Sequence, residues 1–184
     1  MLKKIWKFLW YEDSVLSWVV SIILAFLIVK FIVYPGLGLL LGTSYPVVAV
    51  VSGSMHHEGT FDQWWDDKGA WYEKQGFTKE QVRDWPFHNG FNRGDIMVLK
   101  SAKNIELGDV IVFRGNSNNP IIHRTVDIKK DSYQTKGDNN NDSFIQLGET
   151  NIKEEQILGK AIIRVPFLGY IKILFTEVLG GIEK

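Results

Sequence analysis

The pattern of apolar and polar positions separates a long apolar stretch near the N-terminus from a segmented remainder. Within residues 14–51 the only charged side chain is Lys30, and a membrane-spanning helix needs about 20 mostly apolar residues. Residues 14–34 meet that requirement if the Lys30 amine reaches the membrane interface on its flexible stem. The pattern predicts an uncleaved membrane anchor, with a buried core helix as the alternative, and Pro35 and Gly36 are expected to end the helix.

The remainder contains short runs of β-branched residues that alternate with turn residues, a pattern typical of an all-β sandwich or barrel. The predicted strands cover residues 47–52, 95–100, 109–114, 120–129, 132–136 and 158–165. The last apolar positions recur at helical spacing but are interrupted by charges, so residues 171–184 are expected to form an amphipathic tail. The predicted fold class is mainly β: a small sandwich-like or barrel-like domain at 37–170, preceded by the anchor at 1–36.

Residues 56–90 interrupt the strand pattern with an aromatic and charged block, which predicts a helical insertion in the β domain. Its helices are expected at 62–74 and 78–85, and Thr78 and Gln81 have the spacing of a capping box. The block contains four tryptophans, Trp64, Trp65, Trp71 and Trp85. They are interpreted first as a small core for the insertion, and second as an interfacial belt at the membrane surface.

Charge and composition narrow the classes of function. The chain has 21 basic and 21 acidic residues, so no overall field favours nucleic acid, and no nucleic-acid partner is expected. It has no cysteine, which excludes disulfides and a cysteine nucleophile. Lys3, Lys4 and Lys7 precede the apolar stretch, and the positive-inside rule therefore predicts a cytoplasmic N-terminus and an extracytoplasmic β domain.

Three polar segments lie at or near strand ends: SGSM at 52–55, IIHRT at 121–125 and TKGDNNND at 135–142. Each alone has an ordinary structural explanation as a turn or a half-buried histidine. Together they provide a serine, a histidine and carboxylates. A serine hydroxyl is a weak nucleophile that needs a nearby base, and that base needs an orienting acid. Histidine suits the base because its ordinary pKa lies near operating pH.

These segments, with RGDIMVLK, LGDVIVFR and VPFLGY, resemble the type I signal peptidases of the archaeal and endoplasmic-reticulum kind. The resemblance covers 47–55 and 93–170 together with the anchor. It implies a single-pass serine endopeptidase in the cell membrane that removes signal peptides from exported proteins and needs no cofactor. The implied partners are the signal peptides of preproteins and the lipid bilayer, with the secretion translocon as a further candidate.

The resemblance also implies roles for individual residues. Ser54 would be the nucleophile and His123 the general base, which is a lysine in bacterial relatives. Asp142 is expected to complete the triad, and Asp138 is expected to be a supporting acid. The remaining two implied roles are a hydroxyl from Ser52 in the oxyanion hole, beside the backbone N–H of the nucleophile, and packing by Met55. Substrates with small residues one and three positions before the cut would bind in extended form near 47–51 and 96–99.

The chain departs from the family pattern at two places. His56 and His57 replace an acidic residue and a proline after SGSM, which raises a metal site as an alternative, with His88 and Asp62 as the nearest further ligands; no metal is expected. The family's second aspartate lies about six residues after the one in its GD motif, whereas Asp142 lies four residues after Asp138.

Two competing hypotheses remain from the sequence. The first is a peptidase-like membrane subunit without catalysis, which would lack a catalytic residue, and none of the expected residues is missing. The second is a serine–lysine hydrolase that uses Lys136 or Lys100 as its base. It is weaker because neither lysine occupies the position of His123 in the motif.

Overall fold

A computed structural model describes residues 2–170 and Ile173. The chain divides into two compact units, residues 1–40 and 41–184. The helices and strands, numbered in chain order, are α1 (Leu2–Tyr11), α2 (Val15–Ile28), α3 (Tyr34–Leu41), β1 (Val47–Ala49), α4 (Phe61–Lys74), α5 (Lys79–Arg83), β2 (Ile96–Lys100), β3 (Val110–Phe113), β4 (Ile121–Lys129), β5 (Ser132–Lys136) and β6 (Ile157–Val165), with short 3₁₀ turns at Ile145–Leu147 and Glu154–Gln156.

Among the described residues, Val15–Leu41 is the only helix that is long and apolar enough to cross a membrane. Its 27 residues have a mean hydropathy of 2.6 over the most apolar window, and at 1.5 Å per residue they span about 40 Å. Ser14 caps the start of the helix, because its hydroxyl accepts the Ser17 backbone N–H at 3.1 Å. Length and composition therefore fit a membrane protein.

This helix continues past Pro35, whereas the sequence pattern predicted that it would end there. A π-helical turn, Val29–Val33, connects α2 to α3, and the Tyr34 N–H donates to the Val29 carbonyl. Proline has no N–H to donate, and its ring crowds the carbonyl four residues earlier. The wider turn just before Pro35 changes the hydrogen-bond register, and the helix then extends to Leu41.

The second unit is built on one six-stranded sheet in which every pairing is antiparallel, in the order β1-β2-β6-β3-β4-β5. The prediction of a mainly-β domain is confirmed. Met97 and Leu99 of β2 are fully buried and alternate with less buried neighbours, as expected for a strand with one face on the core. They pack with Val50, Met55, Phe91, Val110, Val112 and Ala161.

The 56–90 segment forms two helices, each started by a capping box: Thr60 with Gln63 before α4, and Thr78 with Gln81 before α5. Its aromatic side chains turn inward and pack on Val126 of β4. The buried members of this cluster are Phe61, Trp64, Trp65, Tyr72 and Val82, with Trp71 and Trp85 partly buried beside them. This packing agrees with the interpretation as a small core. The amphipathic tail predicted for 171–184 lies outside the described residues, apart from Ile173.

Candidate active site

Ser54 and His123 lie in direct contact, although three strands separate β1 from β4 in the sheet. The segment after β1 brings Ser54 to β4, and Ser54 Oγ lies 2.8 Å from His123 Nε2. Ser54 is half-buried and His123 is only 3% exposed. A hydroxyl at this distance from a ring nitrogen can transfer its proton to that nitrogen during attack on a carbonyl.

The loop that carries Ser54 is held from several sides. Met55 is fully buried, and its sulfur accepts the backbone N–H of Asp138 at 3.4 Å. The Asn139 N–H donates to the Ser54 carbonyl at 2.8 Å, and the Asn139 amide donates to the Gly53 carbonyl at 3.3 Å. These contacts position the serine side chain without using its hydroxyl.

The residues expected around an oxyanion hole lie close to the serine. Ser52 Oγ is 3.2 Å from Ser54 Oγ. Within the described part of the chain, the backbone N–H of Ser54 donates to no acceptor. A free N–H beside a nucleophilic oxygen can stabilise the negative charge that develops on a carbonyl oxygen under attack.

The other nitrogen of the His123 ring contacts Glu149, a residue that the sequence pattern did not suggest. His123 Nδ1 bonds to Glu149 Oε1, and the Glu149 side chain is fully buried. An ionised carboxylate only accepts hydrogen bonds, so in contact with one Nδ1 would be the donor and Nε2 would be left to accept from Ser54. Glu149 lies outside every motif used above, and no sequence signal marks it as a contact of His123.

Asp138 lies in a different, fully buried cluster. Arg124 binds it through two bonds, Nε to Oδ1 at 2.8 Å and Nη2 to Oδ2 at 2.7 Å. His57 Nε2 lies 2.9 Å from Oδ2, and the Tyr72 hydroxyl donates to Oδ1 at 3.2 Å. Burial alone would raise the pKa of Asp138, but the Arg124 guanidinium and the hydrogen bonds from Arg124 and His57 bring that pKa well below its usual range.

Arg124 connects this cluster to the end of the insertion. Besides Asp138, its guanidinium donates to the carbonyls of Pro86 at 2.7 Å, Phe87 at 3.0 Å and Gly108 at 2.9 Å. All five N–H groups of the buried side chain therefore have an acceptor. The cluster joins β4, the loop after β5 and the insertion next to His123.

Asp142 lies elsewhere on the surface. Its carboxylate accepts the Trp71 indole N–H at 2.9 Å and the Ser143 backbone N–H at 2.7 Å. The structure thus differs from the expectation that Asp142 orients His123, because the loop after β5 directs Asp142 towards the insertion. The carboxylate that contacts the His123 ring is that of Glu149.

The geometry around Lys136 disfavours a serine–lysine site. The Lys136 amine donates to the carbonyls of Gly137 at 3.1 Å and Asp138 at 3.5 Å. It also lies over the rings of Trp71 and Tyr72, 5.1 and 4.7 Å from their centres. Burial lowers the pKa of Lys136 to about 8, but its hydrogen bonds go to backbone carbonyls, whereas Ser54 Oγ contacts His123.

The two adjacent histidines have separate surroundings. His57 stacks on Trp64 with ring centres 4.0 Å apart and binds Asp138, whereas His56 Nδ1 lies 2.5 Å from Asn92 Oδ1. Among the residues that the structure describes, no three side chains of the metal-binding types come together. His57 therefore takes part in a buried contact, and His56 takes part in an exposed one.

Comparison with known proteins gives a consistent set of relatives, although no family model matches the chain. The chain is 28% identical over 162 residues to the signal peptidase complex catalytic subunit SEC11 of Komagataella phaffii, covering 80% of this chain and 76% of that one. It is 28% identical over 158 residues to SEC11 of Metarhizium robertsii, covering 80% and 73%. A shorter match to Sclerotinia sclerotiorum sec11 is 34% identical over 98 residues, covering 47% and 57%.

The names of these relatives support a peptidase, a class of hydrolase, and the mainly-β domain is consistent with it. Within that class, the comparisons confirm the resemblance to type I signal peptidases of the archaeal and endoplasmic-reticulum kind.

Proposed function

We propose that the protein is a serine endopeptidase that cleaves N-terminal signal peptides from exported preproteins. The observation that carries the proposal is the 2.8 Å contact between Ser54 Oγ and His123 Nε2. It joins the two residues that the motifs assign as nucleophile and base. The relatives named as signal peptidase catalytic subunits support the substrate class.

In this mechanism, Ser54 Oγ attacks the carbonyl carbon of the scissile bond while its proton passes to His123 Nε2. The Ser54 N–H and the Ser52 hydroxyl stabilise the oxyanion of the tetrahedral intermediate. The intermediate collapses, and His123 donates the proton to the leaving amine, which departs as the mature protein. Water then attacks the acyl-enzyme, gives its proton to His123, and releases the signal peptide as the proton returns to Ser54.

The substrate would bind in extended form along β1, which leads directly to Ser54. Among the described residues, β1 is an outer strand of the sheet and pairs only with β2. Its other edge therefore has backbone groups that an added strand can bind. Small residues before the cut, implied by the resemblance, would allow the peptide backbone to approach this edge closely.

We further propose that Val15–Leu41 anchors the enzyme in the cell membrane, with the N-terminus in the cytoplasm and the catalytic unit outside. The apolar length of the helix supports an anchor, and the lysines before it support the orientation. The partners would be preprotein signal peptides and the bilayer. The secretion translocon is a further proposed partner, because signal peptides emerge there.

The test is cleavage of a model preprotein in liposomes by the unmodified protein, Ser54→Ala and His123→Ala. We expect the unmodified protein to cut after a small residue at the end of the signal. Both variants should lose turnover. Ser54→Ala removes only one hydroxyl and should keep the thermal unfolding transition, whereas His123→Ala also leaves the buried Glu149 carboxylate without its ring partner and should lower Tm, so its folding is checked by circular dichroism. Full activity in Ser54→Ala would exclude this serine as the nucleophile.

A further inference from the structure

We propose that Glu149, rather than Asp142 or Asp138, is the acid that orients His123 for catalysis. The inference deepens the proposed function and rests on it for its activity readout. It makes Glu149 a positioning residue, because its carboxylate acts on the reaction through the imidazole of His123.

The backbone around Glu149 is hydrogen-bonded to β5, the neighbour of the strand β4 that carries His123. The Thr135 N–H of β5 donates to the Glu149 carbonyl at 2.9 Å, and Thr135 pairs with Thr125 on β4, two residues from His123. The Glu149 segment therefore runs along the outer side of β5. A glutamate side chain reaches from there to the His123 ring on β4.

Each carboxylate oxygen of Glu149 has a defined partner. Oε1 accepts from His123 Nδ1, with the Thr135 hydroxyl 3.5 Å away. Oε2 accepts the backbone N–H of Phe144 at 2.6 Å. The side chain is fully buried, so water does not compete for these bonds, and the carboxylate is held with one oxygen towards the imidazole.

The two aspartates are engaged elsewhere. Both oxygens of Asp138 bind Arg124, and Asp142 binds Trp71 at the surface. Neither makes a hydrogen bond to His123 within the described residues. In the family pattern, the structural acid and the acid that orients the base lie in one loop. Here they lie in different segments: Asp138 binds Arg124 next to the site, and Glu149 binds the base His123.

The Phe144 contact makes Glu149→Gln an informative substitution. The backbone N–H of Phe144 can only donate, so the amide oxygen of the new side chain would face this N–H and the NH₂ group would face His123 Nδ1. The imidazole would then have to accept at Nδ1 and carry its proton on Nε2. In that tautomer Nε2 cannot accept the proton of Ser54, although the shape of the site is almost unchanged.

The experiment compares the unmodified protein with Glu149→Gln and the matched control Asp142→Asn in the preprotein cleavage assay. We expect Glu149→Gln to lower kcat by roughly 10³- to 10⁴-fold with little change in KM, since a wrong tautomer affects the chemical step. Asp142→Asn should keep kcat within about twofold, as for most surface substitutions. Turnover of Glu149→Gln within about fivefold of the unmodified protein would overturn the assignment.

A spectroscopic readout separates this inference from the proposed function. In protein labelled with ¹⁵N-histidine, the Nδ1 proton should give a low-field resonance, identified by its loss in His123→Ala. We expect it in the unmodified protein and in Asp142→Asn, and not in Glu149→Gln. If the protein cleaves no preprotein but shows this pattern, the proposed function fails and the orientation by Glu149 stands. A resonance that persists in Glu149→Gln overturns the orientation.

Should Glu149→Gln not fold, Asp142→Asn decides between the two acids. Retention of both turnover and the low-field resonance in folded Asp142→Asn supports Glu149. Loss of both in that variant would transfer the role to Asp142.

Discussion

Asp138→Asn should strongly destabilise the unit that contains the sheet, because it breaks a buried ion pair and leaves the charge of Arg124 without a partner. In the native protein both carboxylate oxygens accept from Arg124, and His57 and Tyr72 complete the set. The asparagine side chain keeps one oxygen that can accept a hydrogen bond. Its NH₂ group replaces the other oxygen and would face a group that also donates. The Arg124 guanidinium, which is 1% exposed, would then be buried without a counter-charge.

The expected magnitude follows from this environment. Removing one partner of a buried ion pair costs about 3–5 kcal/mol. In a domain of this size, 1 kcal/mol corresponds to a change of roughly 2–4 °C in Tm, so a decrease on the order of 10 °C is expected. Asp142→Asn, four residues away on the surface, should change the free energy of unfolding by less than about 0.5 kcal/mol.

The assay is thermal unfolding followed by near-ultraviolet circular dichroism, which reports the packing of the tryptophan-rich insertion. A double-mutant cycle with Arg124→Gln should give a coupling energy well above that of a surface pair. A decrease in Tm of less than about 2 °C for Asp138→Asn would show that the carboxylate does not compensate the buried charge of Arg124.

The ion pair of Asp138 and Arg124 also predicts how the free energy of unfolding changes with pH. Because the pKa of Asp138 is lower in the folded protein than in the unfolded chain, its stabilising contribution is present above the unfolded pKa of about 4. It is lost as the pH falls towards the folded value. The unmodified protein should therefore lose stability below about pH 4, and Asp138→Asn should lack that part of the loss.

Two further predictions concern residues next to Asp138. Lys136 has a pKa of about 8 when folded and about 10.4 when unfolded, so the unfolded chain binds more protons between these values and stability rises with pH there. Lys136→Met should remove this rise in urea unfolding measured from pH 8 to 10, and an unchanged slope would contradict the burial argument. A Cβ atom on Gly137 would lie 2.9 Å from His123 Nε2. Gly137→Ala should therefore lower kcat roughly 100-fold through displacement of the base, and full turnover in the cleavage assay would show that the ring tolerates the methyl group.

Local pattern was sufficient for most elements of secondary structure, although it did not predict α1. The second helix of the insertion starts at the predicted capping box of Thr78 and Gln81, since a cap depends on residues three positions apart. The strands were predicted because short runs of β-branched residues between turn residues favour strands whatever they pair with. Pro35 shows the limit of a local rule, because the π-helical turn before it allows the helix to continue.

Motifs identified Ser54 and His123 as candidates, because each lies in a short segment with distinctive neighbours. They could not identify the contacts of those residues. Asp142 was favoured as the acid because its position after Asp138 approximates the family spacing. Glu149 was missed because it is 26 residues from His123 in the chain, and nothing in its immediate surroundings distinguishes it from a surface glutamate.

Local stretches of the chain were therefore enough to predict the apolar helix, the strand-rich domain, the helical insertion and the serine–histidine candidates. These predictions depend on the composition of short segments and on residues close together in the chain. Which carboxylate contacts which cation or ring follows only from the folded arrangement. Thr135 holds the Glu149 backbone beside β5, and Arg124 binds Asp138 next to the insertion. Such contacts join segments far apart in the chain, and burial makes them selective because an unpaired charge there is costly.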